Sequence, residues 1–175
     1  MRGEVVVRSA TPEDAGLIRG VGSAAWPETY DFAGEGYVRR GLEQWWSPEA
    51  VRRGSATTTT LVAEVGTVVV GMGDLDLHGE VPVVWTLYFS PGHQGRGVGG
   101  ALLRALLDLV PGRPVELEHV AGDERAAAFY ARHGFREVRR EPAECGAVLV
   151  WLRRDAPSPA PGPADGVAPS PGGRG

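Results

Sequence analysis

The chain has 175 residues, 42% of them hydrophobic, which predicts one domain with a true core. A formal net charge of -4 disfavours nonspecific nucleic-acid binding, and no apolar run reaches the roughly 18 residues that a membrane span needs. The N-terminus lacks a signal peptide's apolar run and the single cysteine cannot form an internal disulfide, so we expect a cytoplasmic protein that binds neither nucleic acid nor membrane.

The N-terminal part begins with a short predicted strand, Glu4–Arg8, and continues as helices. The segment Thr11–Asp14 is typical of a helix start, because it has Thr as N-cap, proline in the first turn and acids next to the positive helix end. That helix is expected to run toward Trp26. A second helix is predicted over about Glu35–Trp46, and a third begins at Ser47-Pro48.

The middle of the chain is rich in β-branched and aromatic residues, which favours strands. Leu61–Glu64 and Thr67–Leu77 are predicted to pair as a hairpin that turns at Val65-Gly66, and Val81–Phe89 is the next strand. Gly97–Val110 has apolar residues at helical spacing.

The C-terminal part alternates strand, helix and two closing strands: Val115–Val120, Glu124–His133, Phe135–Arg140 and Ala147–Arg153. Consecutive strands predict antiparallel pairs, and helical crossovers predict parallel neighbours. The order therefore predicts a mixed, mostly antiparallel central sheet of about seven strands with helices on both faces, within one domain over residues 1–154. Residues 155–175 are mostly Pro, Gly, Ala and Ser, which predicts a disordered tail.

The glycine-rich turn after Phe89 is the chemical centre of the sequence. Glycines let backbone N–H groups converge on one point, and the N-terminus of the following helix adds positive partial charge. Such a turn can cradle a pyrophosphate, and Arg96 can add a full charge. Gly95-x-Gly97-x-x-Gly100 also fits a dinucleotide fingerprint, which would indicate a nucleotide-dependent oxidoreductase. We disfavour that alternative because the turn follows antiparallel strands and is not tight.

Three segments resemble the GNAT superfamily of acetyltransferases over about residues 4–153. Gln94-x-x-Gly97-x-Gly99, after a strand ending in Leu-Tyr-Phe-Ser-Pro, is similar to the family's acetyl-CoA motif. Asp123–Phe135 resembles its Asn-x-x-Ala-x-x-Phe-Tyr-x-x-x-Gly-Phe stretch, and Arg8–Ala15 resembles its opening. The resemblance implies a GNAT-like acyl-CoA N-acyltransferase fold, with acetyl-CoA as cosubstrate and direct attack by a primary amine of a small molecule or protein.

The resemblance also implies how acetyl-CoA is held. In this family the strand before the loop splays from its parallel neighbour near a bulge, and pantetheine pairs with the freed backbone like an added strand. A main-chain N–H, at Leu87 here, faces the developing oxyanion. Asp123 replaces the family's Asn, and it also fits a helix N-cap. The implied cofactor-binding residues are Leu87, Tyr88, Phe89, Gln94, Gly95, Arg96, Gly97, Val98, Gly99, Gly100, Asp123 and Tyr130.

Two residues are the candidates for acid–base catalysis. Tyr130 matches the family tyrosine that protonates the leaving thiolate, although it also fits a packing role beside Phe129. Many relatives carry a basic Glu on the strand before the loop, but Val83–Thr86 contains no acid. Glu118 is the preferred general base because acids often occur at that point in the family. Four other candidates stay open, each also readable as a solvated strand residue: Asp74, Asp76, His78 and His119.

The acceptor cannot be identified from the sequence. Trp26–Tyr30, which resembles a Trp-x-x-Thr-Tyr segment of a GNAT subgroup, and Trp45-Trp46 are predicted either to wall the acceptor site or to cap the core. Glu28, Asp31 and Glu35 nearby would suit a cationic amine. The missing strand Glu and Asp123 keep a second hypothesis, a non-catalytic acyl-CoA-binding regulatory module. A homodimer is also left open.

Overall fold

The computed structural model describes residues 4–157, so the predicted tail lies outside the described residues from position 158 onward. Seven strands are present: β1 (Val5–Ser9), β2 (Thr59–Val65), β3 (Val68–Asp76), β4 (Val83–Phe89), β5 (Val115–Val120), β6 (Arg136–Pro142) and β7 (Val148–Arg154). Five α-helices accompany them: α1 (Ala15–Tyr30), α2 (Glu35–Trp45), α3 (Pro48–Thr57), α4 (Val98–Asp108) and α5 (Glu124–Arg132). Within the described range, none of these helices is long and apolar enough to cross a bilayer.

The predicted elements are all present, with shifted ends. The β2–β3 hairpin turns at Gly66-Thr67, one residue later than expected, with Gly66 at a φ of 65°. Helix α1 does not stop near Trp26 but continues through Pro27 to Tyr30. Proline removes one helical hydrogen bond. Trp26 and Tyr30, on either side of it, pack together with ring centroids 4.3 Å apart, and this contact favours the longer helix.

The sheet has the order β1-β2-β3-β4-β5-β7-β6. Every neighbouring pair is antiparallel except β4 and β5, which are parallel. This confirms the mixed, mostly antiparallel sheet that the element order predicts. Only two residue pairs join β4 to β5, Val83 with Glu116 and Val84 with Leu117, so the two strands part soon after they meet.

Helices cover both faces of the sheet, as expected. Helix α4 buries Val98, Leu102 and Leu106 against one face, in a core shared with Val84 and Leu117. Helices α1–α3 cover β2, β3 and β4 on the opposite face. Most of the β5-β7-β6 wing on that face has no such cover, which leaves a surface beside the place where β4 and β5 part.

Glycines set the close approach of α1 and α2. A Cβ at Gly41 would lie 2.1 Å from the Trp26 ring, and one at Gly22 would lie 1.9 Å from the Trp46 ring. Trp26 Nε1 also donates to the Val38 carbonyl at 3.1 Å, which ties the two helices together. These contacts hold the end of α1, and with it Tyr30, over β4.

Candidate active site

The strands β4 and β5 separate next to a β-bulge. Asp74 of β3 is opposite Thr86 while Leu75 is opposite Val84, so Trp85 has no partner on β3. A bulge of this kind turns two successive side chains toward one face. Beyond it the alternation resumes, with Leu87 packed in the α4 core and Tyr88 in the α1 core. The splay and bulge implied by the family resemblance are therefore both present.

The backbone of β4 is directed into the gap between the strands. Ser90 N–H donates to the Val70 carbonyl of β3 at 2.7 Å. Because N–H groups alternate in direction along a strand, those of Leu87 and Phe89 are directed away from β3, toward the side where β5 has departed. Two strand donors thus face a gap that an extended ligand can fill. This geometry fits the pantetheine and oxyanion contacts that the resemblance implies.

The glycine loop offers a set of free backbone donors. Gly92, Gly95 and Gly97 have φ values of 86°, 71° and 82°, in the left-handed region that suits glycine. Within the described residues, the loop N–H groups that form no protein hydrogen bond are those of Gly92, Gln94, Gly95, Gly97, Val98, Gly99 and Gly100. Converging free donors at the start of α4 form a site that fits a pyrophosphate.

Side chains around the loop explain its shape. A Cβ on Gly99 would lie 3.1 Å from the Phe89 ring, so this glycine lets α4 pack against β4. Gln94 Oε1 accepts a hydrogen bond from Arg125 of α5 at 3.1 Å, and Arg96 is exposed. Asp123 caps α5, because its Oδ1 accepts from the Ala126 N–H at 2.9 Å. The N-cap interpretation of Asp123 is confirmed, and its contact with acetyl-CoA stays a prediction.

Tyrosines gather on both sides of the gap. The Tyr30 and Tyr88 hydroxyls lie 2.9 Å apart, and Tyr37 packs edge-on against Tyr30 at 5.4 Å. Tyr130 of α5 completes the set, which includes every tyrosine of the chain. Burial raises the pKa of Tyr30, Tyr88 and Tyr130, so all three keep their protons at neutral pH. The gap is therefore lined with hydrogen-bond donors.

Tyr130 is held firmly by its neighbours. Its ring packs edge-on against Phe129 at 5.2 Å and Phe135 at 5.9 Å, between α5 and the α4 core. The raised pKa of its phenol comes first from burial and then from the neighbouring Tyr30 and Asp123. Tyr130 thus has the packing role that the sequence allowed. It also presents a protonated hydroxyl near the gap, as a general acid requires.

Glu118 and Glu116 lie on the same side of β5 but have different partners. Glu116 accepts hydrogen bonds from Arg139 at 2.9 Å and Arg153 at 3.3 Å. Glu118 forms no hydrogen bond or ion pair with any residue in the described range. Burial, followed by the nearby Glu141, raises the pKa of Glu118, while Arg139 opposes that rise. An unpaired carboxylate with a raised pKa is suited to accept a proton.

The other base candidates lie in less suitable places. Asp76 accepts hydrogen bonds from the His78 ring at 2.9 Å and from Trp85 at 3.2 Å. His119 is buried, and its Nδ1 lies 3.0 Å from the Val120 carbonyl. The alternation of β5 turns His119 to the face opposite Glu118. The structure therefore brings Glu118, rather than these residues, to the uncovered face beside the gap.

Asp74 was expected as a solvated strand residue, and that expectation is wrong. Its side chain is buried, and its Oδ2 accepts a hydrogen bond from Thr86 Oγ1 at 2.6 Å across the bulge. Burial raises the pKa of Asp74 to about 6. Alternation within β3 could not reveal this, because helices cover both faces of this central strand.

The aromatic segments serve mainly as core. Trp26 and Trp46 are buried, and Trp46 packs edge-on against Tyr88 at 5.4 Å. Trp45 is exposed at the end of α2. Phe32, which follows α1, lies close enough to Gly122 that a Cβ there would be 3.1 Å from its ring. The core-cap alternative is thus correct for the two buried tryptophans, while Tyr30 and Phe32 reach the gap. The acids expected near a cationic amine, Glu28, Asp31 and Glu35, are all exposed.

The seven-stranded sheet, split between two parallel strands beside a glycine loop, defines an acyl-CoA N-acyltransferase fold. Residues 19–135 match the family described as Acetyltransferase (GNAT) family. The chain belongs to this family. It is an acetyl-CoA-dependent N-acetyltransferase.

Individual relatives agree with this assignment. The chain is 35% identical over 123 residues to the N-alpha-acetyltransferase RimI of Mycobacterium tuberculosis, a match that covers 65% of this chain and 78% of the relative. The structure of PaiA N-acetyltransferase from Thermoplasma acidophilum, in complex with coenzyme A, is similar with a TM-score of 0.71, 17% identity and coverage of 87% of this chain and 99% of that chain. The ribosomal-protein-S18-alanine N-acetyltransferase of Escherichia coli gives a TM-score of 0.70 at 15% identity, with coverage of 91% and 98%. These names lend no support to the non-catalytic alternative.

Proposed function

We propose that the chain acetylates the α-amino group at the N-terminus of a peptide or protein, with Tyr130 as general acid and Glu118 as general base. The observation that carries the proposal is the unpaired Glu118 beside the gap, on the face of β5 that helices α1–α3 do not cover. The RimI relative, an N-alpha-acetyltransferase by name, supports it, because this chain covers 78% of that protein.

The proposed mechanism assigns each proton. Acetyl-CoA supplies an acetyl thioester. The loop N–H groups bind its pyrophosphate, and the Leu87 N–H donates to the carbonyl oxygen as negative charge develops there. Glu118 accepts one proton from the substrate ammonium, which frees the nitrogen to attack the carbonyl carbon.

Cleavage of the C–S bond of the thioester needs a proton donor for the departing sulfur. As the C–S bond breaks, the Tyr130 hydroxyl donates its proton to the departing sulfur. A phenol is a weaker acid than a thiol, so this transfer must accompany bond cleavage. The second proton of the nitrogen, released as the amide forms, restores Tyr130 to its neutral state. Glu118 then releases its proton to water, so one proton leaves the enzyme in each turnover.

The position at which a peptide becomes acetylated tests whether the α-amine is the acceptor. A peptide with a free N-terminus and one internal lysine is incubated with acetyl-CoA, and fragment masses locate the acetyl group. We expect acetylation at the α-amine, and none when the N-terminus is blocked beforehand. Acetylation of lysine in both peptides would contradict the proposal.

The Tyr130→Phe variant tests the assigned acid. It removes one oxygen and keeps the ring, so packing against Phe129 and the affinity for acetyl-CoA should change little. We expect kcat to fall about 10²-fold, a usual contribution of general acid catalysis. Calorimetry with acetyl-CoA measures the affinity, and steady-state kinetics with the free N-terminal peptide as substrate measure kcat. Full turnover by the variant would leave Tyr130 with a packing role alone.

We also propose that the enzyme works in the cytoplasm and engages no nucleic acid. Its cosubstrate, acetyl-CoA, and newly made protein N-termini both occur in the cytoplasm. The formal net charge of -4 is unfavourable beside a polyphosphate backbone. Cell fractionation and a gel-shift assay at low salt would test these two points.

A further inference from the structure

Trp85, the bulged residue of β4, lies at the mouth of the gap. It and Glu118 are each one residue beyond Val84 and Leu117, the last pair that joins β4 to β5. Both side chains face the side of the sheet that the helices leave open over β5-β7-β6. Trp85 is 45% exposed, which is unusual for a large aromatic residue that the sheet could bury.

An arginine lies over the ring of the neighbouring tryptophan, Trp151. The Arg139 guanidinium lies 4.0 Å from the Trp151 ring centroid. The Trp151 Nε1 donates to Glu141 at 3.2 Å, and Arg139 pairs with Glu141 and Glu116. A cation on an indole face, with carboxylates at the edge, is a stable arrangement on this surface.

Trp85 repeats half of that arrangement. Its Nε1 donates to Asp76 Oδ2 at 3.2 Å, so a carboxylate lies at its edge as Glu141 does at the edge of Trp151. The Trp85 and Trp151 rings meet edge-on with centroids 5.7 Å apart. Within residues 4–157, no arginine guanidinium lies over the Trp85 ring.

The charges of the open face favour a cationic occupant. Glu118 has no partner, whereas Arg139 and Arg153 are both held in ion pairs. Carboxylates outnumber guanidiniums, with Asp76, Glu116, Glu118, Glu141 and Asp155 against Arg136, Arg139 and Arg153. A cation that approaches Trp85 therefore meets a net negative surface, whereas an anion would be repelled.

We propose that Trp85 binds a lysine or arginine side chain at the second or third residue of the acceptor peptide. The inference rests on the proposed acetylation of peptide N-termini. Trp85 lies on β4, the strand next to β5 and Glu118. An extended chain advances about 3.4 Å per residue, and neighbouring strands lie about 4.8 Å apart. The second and third side chains of a peptide with its amine beside Glu118 are therefore within reach of Trp85. Trp85 then sets specificity, while Glu118 and Tyr130 perform the chemistry.

A matched peptide series tests this subsite. Four peptides with the same N-terminal residue carry arginine, lysine, norleucine or glutamate at both the second and third positions. We expect wild-type kcat/KM to favour arginine over norleucine by about tenfold, within the range of cation–π contacts, and to be lowest for glutamate. Trp85→Ala should bring the arginine-to-norleucine ratio close to one. Trp85→Phe should restore part of it, since phenylalanine keeps an aromatic face.

Control measurements distinguish loss of the Trp85 subsite from loss of the fold and from failure of the proposed function. Trp45→Ala removes another exposed tryptophan, at the end of α2, and should keep the wild-type ratio. Calorimetry with acetyl-CoA checks that each variant keeps its folded cofactor site. A wild-type ratio near one, or a preference unchanged in Trp85→Ala, would overturn the subsite. If no peptide is acetylated although a simple alkylamine is, the proposed function itself fails.

Discussion

At the scale of single residues, partners decide which carboxylate can act as a base. Glu116 and Glu118 have the same chemistry, but only Glu116 is paired with arginines. Glu118 has no such partner, and burial raises its pKa. The uncompensated carboxylate is thus the one that we propose as the general base.

The pH dependence of kcat/KM tests the role of Glu118. A base must be deprotonated, so activity should fall as the pH falls through the raised pKa of Glu118, above the range of an ordinary glutamate. In Glu118→Gln, this acid limb should vanish and the rate at pH 8 should fall about 10²-fold. Glu116→Gln, the matched control, should keep the limb. An acid limb that persists in Glu118→Gln would place the base elsewhere, for example in a water chain.

Asp74 is a buried carboxyl with no proposed role in catalysis, and its ionisation lowers the stability of the fold. Its folded pKa, about 6, lies above the unfolded value of about 3.9. The protonated form therefore stabilises the fold at low pH, and that contribution is lost as the pH rises through 6. Asn cannot ionise and can still accept from Thr86. We expect Asp74→Asn to raise the free energy of unfolding above pH 7 by about 1–2 kcal/mol, because its unpaired amide offsets part of the gain.

Urea unfolding of both proteins at several pH values measures this difference. The advantage of Asp74→Asn should shrink or reverse near pH 4, where the Asp74 carboxyl is protonated in the folded state and about half protonated in the unfolded chain. Groups that titrate equally in the two proteins cancel in the comparison. A difference that stays constant from pH 4 to pH 8 would mean that Asp74 does not titrate in this range.

At the scale of elements, the glycines of α1 and α2 let two tryptophans fill the helix interface. In Gly41→Ala, the added Cβ would lie 2.1 Å from the rigid Trp26 ring, so the helices must move apart. We expect this change to lower the free energy of unfolding by about 1–3 kcal/mol. Gly36→Ala is the matched control on the same helix, where no atom lies within 4 Å of the new Cβ. It should raise stability by about 0.5–1 kcal/mol.

Chemical denaturation of the two alanine variants provides the measurement. The opposite signs are informative, because helix propensity favours alanine at both positions and only packing differs. Equal stabilisation of the two variants would show that α1 and α2 are not packed closely through Gly41. A loss at Gly41 should also reduce turnover, since these helices hold Tyr30 over β4.

At the scale of the whole molecule, acetyl-CoA should contact parts of the chain that are far apart in sequence. Its expected contacts come from β4, the glycine loop and α5, on both sides of the gap. A ligand that binds only the native state at about 100 times its Kd adds about 2.7 kcal/mol, or roughly 5–10 °C in Tm for a domain of this size. NAD, the ligand of the rejected dinucleotide alternative, should leave Tm unchanged.

Thermal unfolding of Gly97→Val tests whether the loop supplies the phosphate site. The substitution should abolish most of the acetyl-CoA shift, because the side chain strains and obstructs the cradle. Gly112→Val is the matched control, since Gly112 has a φ of 72° against 82° for Gly97 and each has open space around a new Cβ. Both variants should lose similar intrinsic stability, but only Gly112→Val should retain the shift. A full shift in Gly97→Val would remove the loop from the binding site.

Local features of this protein were readable from its sequence. The β-branched runs of β2 and β3, the apolar spacing of α4 and the Asp123 cap depend on residues close together in the chain. The glycine loop was recognisable because left-handed backbone needs glycine wherever the loop lies. The element order then implied the mixed sheet, and the family resemblance implied the split between β4 and β5.

Other features depended on which distant segments meet. Asp74 is buried and Glu118 is unpaired because of neighbours from other strands and helices, which alternation within β3 or β5 does not specify. Likewise, α1 passes Pro27 because aromatic packing outweighs a local preference. The sequence alone therefore determined the elements, the glycine loop and the class of enzyme. The tertiary structure alone decided which carboxylate is unpaired and which tryptophan is exposed beside the gap, because burial and charge pairing arise only when the elements pack together.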